Sequence, residues 1–307
     1  MKKKETLGRR LKRDFLRYKG IYFIMFPVLL YYIVFHYIPM GGTVIAFQDY
    51  RPALGFLESD WVGLENFIEF FTGPYAWRTI RNTILLSLYG ILFEFPMPII
   101  LALMINEVSG KIFKRTVQTI SYLPHFISLV VVCGIIFDFT NSDGLINVIL
   151  GATGPDAVNL LSKKEFFRAI YVVSDIWKNV GWGSIIYLST LSGIDPNLYE
   201  AAAIDGAGRV KQLLHITLPS LIPIISVQLI LRIGRMMSLG YEKVILLYNP
   251  LTYETADIIS SFVYRVGLVE TNYSLGAAVG VFNSVINLAL LCFANWFSKS
   301  FVKESLW

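Results

Sequence analysis

Apolar and polar positions fall in long blocks along this chain rather than in the short alternations of a soluble fold. Six predominantly apolar runs, at about residues 21–47, 79–105, 117–139, 167–191, 221–247 and 275–297, are separated by polar connections. Each is long enough to cross a hydrocarbon core of roughly 30 Å, which takes about 20 helical residues. A single hydrophobic segment in lipid satisfies its backbone polar groups by forming a helix. The pattern therefore predicts an all-α, polytopic membrane protein with six transmembrane helices. The longer connections carry turn signals at Gly73-Pro74, Asn141-Ser142-Asp143-Gly144, Gly154-Pro155 and Asn249-Pro250. They have room for short surface helices but not for a globular domain. No internal repeat is visible, which removes the usual support for an inverted-repeat carrier.

Composition agrees with this reading: 55% of the 307 residues are hydrophobic and only 16% are charged. The net charge of +5 is a topology signal. Residues 1–19 form a basic tail, Lys111, Lys114 and Arg115 lie between the second and third runs, and Arg209 and Lys211 lie between the fourth and fifth. Lys299 and Lys303 follow the last run, whereas Asp49, Glu58, Asp60, Glu65 and Glu69 mark the opposite side. By the positive-inside rule both termini are expected in the cytoplasm. The basic residues adjoin membrane spans and no groove-reading motif accompanies them, so nucleic acid is not an expected partner. The first run exceeds the apolar core of a signal peptide and lacks a small-residue cleavage site, so it is expected to remain in the chain. Cys133 and Cys292 show neither metal-ligand nor redox spacing.

One connection stands out. Residues 195–219 contain Glu200-Ala201-Ala202, then Gly206, then Ile216, Leu218 and Pro219. Asp195-Pro196 reads as a cap and first helical position, followed by strong helix formers. Gly206 and Gly208 allow a sharp turn, and a second short helix over 210–215 leads to Pro219 at the start of the fifth span. Small alanines on such a helix would let another protein's surface approach closely. A plain amphipathic hairpin with helix-promoting alanines would share the composition, but not the whole spacing in register.

That spacing resembles the coupling loop of permease subunits of bacterial binding-protein-dependent ABC importers. The resemblance extends to Arg81-Asn82-Thr83, Tyr122-Leu123-Pro124-His125, Gly144-Leu145-Ile146-Asn147 and the stretch Trp177-Lys178-Asn179-Val180-Gly181-Trp182, which look like the carbohydrate-uptake branch. Within that branch the chain is similar to lipoprotein-associated and alginate-type oligosaccharide permeases. The resemblance implies a type I importer permease fold over residues 20–307 and a heterodimer with a second, homologous permease. It also implies two copies of an ABC ATPase, which bind the ATP and Mg, and an extracytoplasmic solute-binding lipoprotein. In the family the loop seats in a cleft of the ATPase, with Glu200 on a basic residue and Ala201, Ala202 and Gly206 packed inside. The sequence has no G-x-x-x-x-G-K-[ST] loop, since Gly110-Lys111 is followed by Ile112, so no cofactor is expected on this chain itself.

Ionisable groups inside spans are costly and point to function. Arg232 and Arg235, three residues apart, are expected on one face of the fifth span, with Gln228 and Ser238 extending the stripe. They suit a water-filled path meeting hydroxyls or carboxylates of a sugar chain; pairing with Glu94 or with a second subunit is the other reading. Trp177, Asn179, Trp182 and Tyr187 in the fourth span could stack on or bond to sugar rings, or could anchor the membrane interface. Asn283 and Asn287 suit helix joining, and Gly276 with Gly280 suits a close-packed seam. Gly240 is a candidate break in the fifth span. The expected function is ATP-driven import of an oligosaccharide, with an acidic sugar preferred on account of the two arginines. A gradient-driven secondary transporter of a polar solute is the alternative, with Glu94, Asp138 and Asp175 as its candidate titrating acids.

Overall fold

The computed structural model describes residues 16–149, 151 and 157–301. Most of the basic tail, the Gly154-Pro155 turn and Lys303 lie outside the described residues. The chain is built of helices: α1 (Lys19–Phe47), α2 (Glu65–Thr72), α3 (Ala76–Glu107), α4 (Lys111–Tyr122), α5 (Leu129–Thr140), α6 (Lys164–Ser192), α7 (Pro196–Ile204), α8 (Arg209–Gly234), α9 (Tyr241–Leu247), α10 (Ile259–Val269) and α11 (Tyr273–Phe301). The one sheet among the described residues is a two-residue antiparallel pair, β1 (Gln48–Asp49) and β2 (Asp60–Trp61), which closes the loop after α1.

Five segments of the described residues are long and apolar enough to cross a membrane: α1, α3, the stretch Leu129–Ile149, α8 and α11. The expected fourth span, α6, has 29 residues but carries Arg168, Asp175 and Lys178 along its length. Those three turn inward onto Asn82, Lys243 and backbone carbonyls respectively. Its exposed large side chains include Phe166, Val173 and Trp177, so its outward surface suits lipid.

Two expected spans are broken. The third, predicted over 117–139, is instead α4, a 3-10 turn at Leu123–Phe126, and α5, whose N-terminus is capped by Ser128. Pro124 and the extended backbone at Ile127 account for the interruption. The fifth, predicted over 221–247, ends at Gly234 and resumes as α9 after an unwound stretch at 235–240. Arg232 and Arg235 therefore do not share a helix face: Arg235 has left the helix, with φ −110° and ψ 13°. The break falls at Arg235, ahead of the predicted Gly240.

Three helices widen into a π-turn just before a proline. The amide of the residue preceding Pro39, Pro96 or Pro219 donates five residues back, Ile38 to Ile33, Phe95 to Gly90 and Leu218 to Leu213. Proline has no N–H and its ring crowds the preceding turn; a local π-turn re-satisfies the backbone without breaking the rod. The predicted separate helix over 210–215 is accordingly the first turn of α8, running through Leu213–Thr217 into the span.

Three apolar clusters hold the helices together. Leu86, Val132, Ile136, Phe167, Val244 and Leu247 join α3, α5, α6 and α9. Phe70, Ile259, Phe262, Leu275 and Val279 join α2, α10 and α11. Ala102, Tyr187, Leu191 and Leu221 join α3, α6 and α8 near their shared end. The close-packed seam is between Gly267 and Gly276, where a Cβ on Gly276 would meet the opposing backbone; Gly280 has open space beside it. Helix α1 is exposed along its whole length up to Gly41 and packs against the rest of the chain only near its end, where Ala46 is buried.

Candidate functional site: a charged cavity and an exposed helical loop

Between α3, α6, α8 and α9 lies a cavity of about 1090 Å³. That volume is slightly above the roughly 300–1,000 Å³ typical of small-molecule sites. Gln228, Arg232, Arg235, Asn179, Trp182 and Tyr187 all line it, so the six residues chosen as substrate-path candidates, from α6 and the end of α8, meet around one cavity. Trp177 is not among the lining residues and is exposed on the outer side of α6.

The unwound stretch 235–240 shapes one side. Non-helical backbone at membrane depth is tolerated where protein buries it or it lines a wet cavity. Here its groups find side-chain partners: the Asn287 amide oxygen accepts from the Met237 N–H at 2.9 Å, and the Ser87 hydroxyl donates to the Met236 carbonyl. Asn287 and Asn283 each donate to Ser238 Oγ, at 2.7 and 3.3 Å, which is the helix-joining role.

Two ion pairs cross the cavity. Arg232 on α8 pairs with Glu94 on α3, whose side chain is only 10% exposed. Lys243 on α9 pairs with Asp175 on α6 at 3.0 Å, donates to the Tyr171 carbonyl at 2.8 Å and lies 4.4 Å from the centre of the Tyr171 ring. Two further cations have no carboxylate partner among the described residues. Lys178 donates to the carbonyls of Ile127 and His125, at 2.6 and 3.3 Å. Arg235 is exposed to the cavity. Against these stands Glu242, the remaining acid on the wall. His125 stacks on Trp182 with ring centres 4.6 Å apart and planes 1° from parallel, and its Nδ1 is 3.1 Å from the Asn179 amide oxygen. Trp182 and Asn179 are thus held in place before any ligand arrives.

Lys178, Lys243 and His125 were not chosen as substrate-path residues from the sequence, His125 and Lys178 entering only through the motifs of the family resemblance, and Asp175 was considered only as a titrating acid. The signal was present for the lysines, since each interrupts an apolar run and such residues default to functional hypotheses.

At the far end of α6 the candidate coupling residues take their places. Asp195 caps α7, its carboxylate accepting from the Asn197 N–H at 3.0 Å, with Pro196 at the first helical position. Glu200 and Ala201 are exposed on α7 and Ala202 is half-buried. Gly206 adopts φ +75°, a left-handed conformation that suits glycine, and the Ala207 N–H closes the turn onto the Ala202 carbonyl at 2.8 Å. Gly208 has φ −68°, so only one of the two glycines is needed for the turn. Ile216, Leu218 and Pro219 form the root of α8, and a 2.9 Å bond between the Tyr199 and Thr217 hydroxyls fastens α7 to it. Leu198 (51%) and Ile204 (87%) leave apolar surface exposed beside Glu200.

A broken-helix cavity between spans, with an exposed capped helix at one end, defines a membrane transport subunit. The chain belongs to the family described as "Binding-protein-dependent transport system inner membrane component", which matches residues 94–303. It is 44% identical over 297 residues to Protein LplB of Bacillus subtilis (strain 168), covering 96% of this chain and 92% of that one. It is 43% identical over 305 residues to the polygalacturonan/rhamnogalacturonan transport system permease protein YteP of the same organism, covering 99% and 95%. Its fold matches a bacterial ABC transporter involved in the import of the acidic polysaccharide alginate, with a TM-score of 0.87, 43% identity, and 95% and 99% of the two chains covered. A second structure of a bacterial alginate ABC transporter, in complex with an alginate pentasaccharide-bound periplasmic protein, matches with a TM-score of 0.88 and 42% identity over 98% of this chain and all of that one. The protein is therefore a permease subunit of an oligosaccharide ABC importer in the cytoplasmic membrane, with the type I importer permease fold. The gradient-driven alternative gives way to this assignment.

Proposed function

We propose that this permease passes an acidic, uronate-containing oligosaccharide through the cavity between α3, α6, α8 and α9. The observation that carries the reading is the charge on the cavity wall. Arg232 and Lys243 are matched by Glu94 and Asp175, while Glu242 is the one other acid on the lining against the two cations Lys178 and Arg235. A sugar carboxylate reaching Arg235 would gain a charge-assisted hydrogen bond that a neutral hydroxyl gives less strongly. Trp182, braced by His125, offers an apolar ring face, and Asn179, Gln228 and Tyr187 offer polar atoms to ring hydroxyls. The functions of the relatives, import of alginate in one and transport of polygalacturonan/rhamnogalacturonan in the other, support an acidic cargo.

In the same proposal residues 195–219 are the coupling loop and the rest of 20–307 is the permease domain, preceded by a basic tail at 1–19. Glu200, Ala201, Ala202 and Gly206 seat in a cleft of a partner ABC ATPase, with Ile216, Leu218 and Pro219 transmitting its movement into α8. A second permease completes the pathway, a solute-binding protein delivers the sugar from outside, and both termini are cytoplasmic. ATP and Mg are handled by the ATPase pair.

The test is uptake by vesicles containing the whole importer and its binding protein, with trigalacturonate and a neutral trisaccharide as cargo. Arg235→Gln should raise the half-saturating trigalacturonate concentration about tenfold, the value of one charged hydrogen bond of about 1.4 kcal/mol. Unchanged trigalacturonate uptake in that variant, or wild-type uptake of the neutral chain alone, would rule out the acidic reading.

A further inference from the structure

A second charged cluster lies at the end of the molecule opposite the coupling helix. Helix α6 begins there at Lys164, and Ser192 at its other end is about 42 Å away at 1.5 Å per residue. Part of the cluster is closed. The Asp257 carboxylate is fully buried and accepts from Arg78 at 2.6 Å, from Arg265 at 2.9 and 3.1 Å, and from Ser261 at 2.9 Å. This half braces α3 against the segment leading into α10 and leaves no room on the carboxylate.

The other half is open. Arg81 donates to the Glu254 backbone carbonyl at 3.0 Å, and Arg168 donates to the Asn82 amide oxygen at 2.9 Å. Neither guanidinium has a carboxylate of its own among the described residues. Lys164 pairs with the Glu254 carboxylate at 2.5 Å, with both side chains about half exposed. The Lys164 ammonium holds Glu254 below the usual carboxylate range, with Arg81 and Arg168 contributing, so the acid stays charged while shared among three cations. The Nε atoms of Arg78, Arg81 and Arg168 are buried without hydrogen-bond partners, three of the six such side-chain atoms among the described residues. Bracing explains Arg78 and Arg265 but leaves Arg81, Arg168 and Lys164 with more positive charge than their neighbours absorb.

The open half lies next to the transport cavity. Arg168 is three residues before Tyr171 on α6, and Arg81 is six before Ser87 on α3, and both Tyr171 and Ser87 line the cavity. That places the two guanidinium-bearing residues about 5–9 Å along the helices from the nearest residues lining it.

We propose that Arg81, Arg168 and Lys164 form an electropositive collar that takes the carboxylates of an incoming acidic sugar chain before it enters the cavity. Guanidinium groups suit this because their planar fork binds a carboxylate through two parallel bonds. Charge gathered at the mouth of a cleft also raises the rate at which an opposite charge is captured. Glu254 is the competitor that the substrate displaces. The inference rests on the acidic-cargo reading above.

The experiment measures initial trigalacturonate uptake against potassium chloride concentration, in vesicles holding the whole importer and its binding protein. Arg81→Gln should slow uptake at low salt about threefold, the scale of one partly exposed charge interaction, and flatten the salt dependence. Glu254→Gln should do the reverse and speed uptake at low salt, a gain that a damaged fold cannot imitate. Recovery of each variant as an intact complex on gel filtration serves as the folding control. If wild-type vesicles carry trigalacturonate and both variants match them in rate and salt dependence, the collar is overturned and the acidic reading stands. If both variants slow uptake alike, the cluster serves the fold or a lipid phosphate, and the collar is overturned. A wild type that carries only neutral chains overturns the acidic reading and the collar together.

Discussion

Lys243 shows how a single residue ties charge to architecture. Its side chain is 6% exposed, yet it carries an ammonium held by the Asp175 carboxylate, the Tyr171 carbonyl and the Tyr171 ring. A charge this deep is stable only while all its partners remain, because removing one leaves an uncompensated ion in a poorly hydrated place. Asp175→Asn should therefore destabilise the protein by about 3–5 kcal/mol, the scale for breaking a buried pair. The double variant Asp175→Asn with Lys243→Met should recover much of that loss, since an apolar side chain of similar length needs no partner. Thermal unfolding of the purified protein in detergent checks the order: wild type, then the double variant, then the single one. A single variant as stable as wild type would mean that water reaches Lys243 through the cavity and solvates it. Arg232 and Glu94 pose the same problem across α8 and α3, and there the guanidinium is 39% exposed, so part of its solvation survives.

At the level of elements, legibility followed the physics of each segment. Long apolar runs give helices because lipid allows a lone segment little else, so α1, α3, α6 and α11 were expected close to where they lie. The breaks at Leu123–Phe126 and at 235–240 were harder to place: Pro124 and Gly240 were visible, but each sits inside a longer, mostly apolar run that reads as one span. What ends α8 is tertiary: Asn287 and Ser87 supply hydrogen bonds that the unwound backbone would otherwise lose. The three prolines beyond the π-turns are plain in the sequence, but the widened turns are not, since they arise from how each rod accommodates a missing N–H. The candidate cavity residues were legible one by one as polar or aromatic interruptions of apolar runs. Their convergence was not, because it depends on the packing of four helices. Helix α7 was the most legible element, with its cap, its proline and its glycine turn all at the expected residues. Its Glu200 is exposed and has no ion-pair partner among the described residues, so a change of charge there leaves the fold of this chain intact. Glu200→Lys should cut the ATPase co-purifying with the complex at least tenfold, because reversing one member of an interface charge pair costs about 2–5 kcal/mol. The permease's own melting temperature should not move. An undiminished ATPase yield in that variant would place the coupling contact elsewhere.

Across the whole molecule, α6 joins the features on which the proposed transport route depends. Its first five residues include Lys164 and Arg168, its middle lines the cavity through Tyr171, Asp175, Asn179 and Trp182, and its last residue, Ser192, is followed almost at once by α7, the proposed coupling helix. A displacement of α7 by a partner would thus reach the cavity wall along one rod, with the Tyr199–Thr217 bond carrying the same movement into α8. This arrangement requires α6 to cross the membrane, although it is not among the five most apolar segments. Its polar residues face the cavity and its neighbours while Phe166, Val173 and Trp177 face outward, so the hydrocarbon would meet an apolar surface. In the proposed topology the basic residues Arg209 and Lys211, which follow α7, put that end on the cytoplasmic side by the positive-inside rule. Two exposed positions flank the helix, Glu165 at one end and Asn197 just beyond the other. In a background with Cys133 and Cys292 replaced, Glu165→Cys should react with a membrane-impermeant maleimide on intact cells stripped of their wall. Asn197→Cys should react only after the membrane is opened. Labelling of both positions from the same side would mean that α6 does not span the bilayer, and the route from coupling helix to cavity would have to be rebuilt through α8 alone.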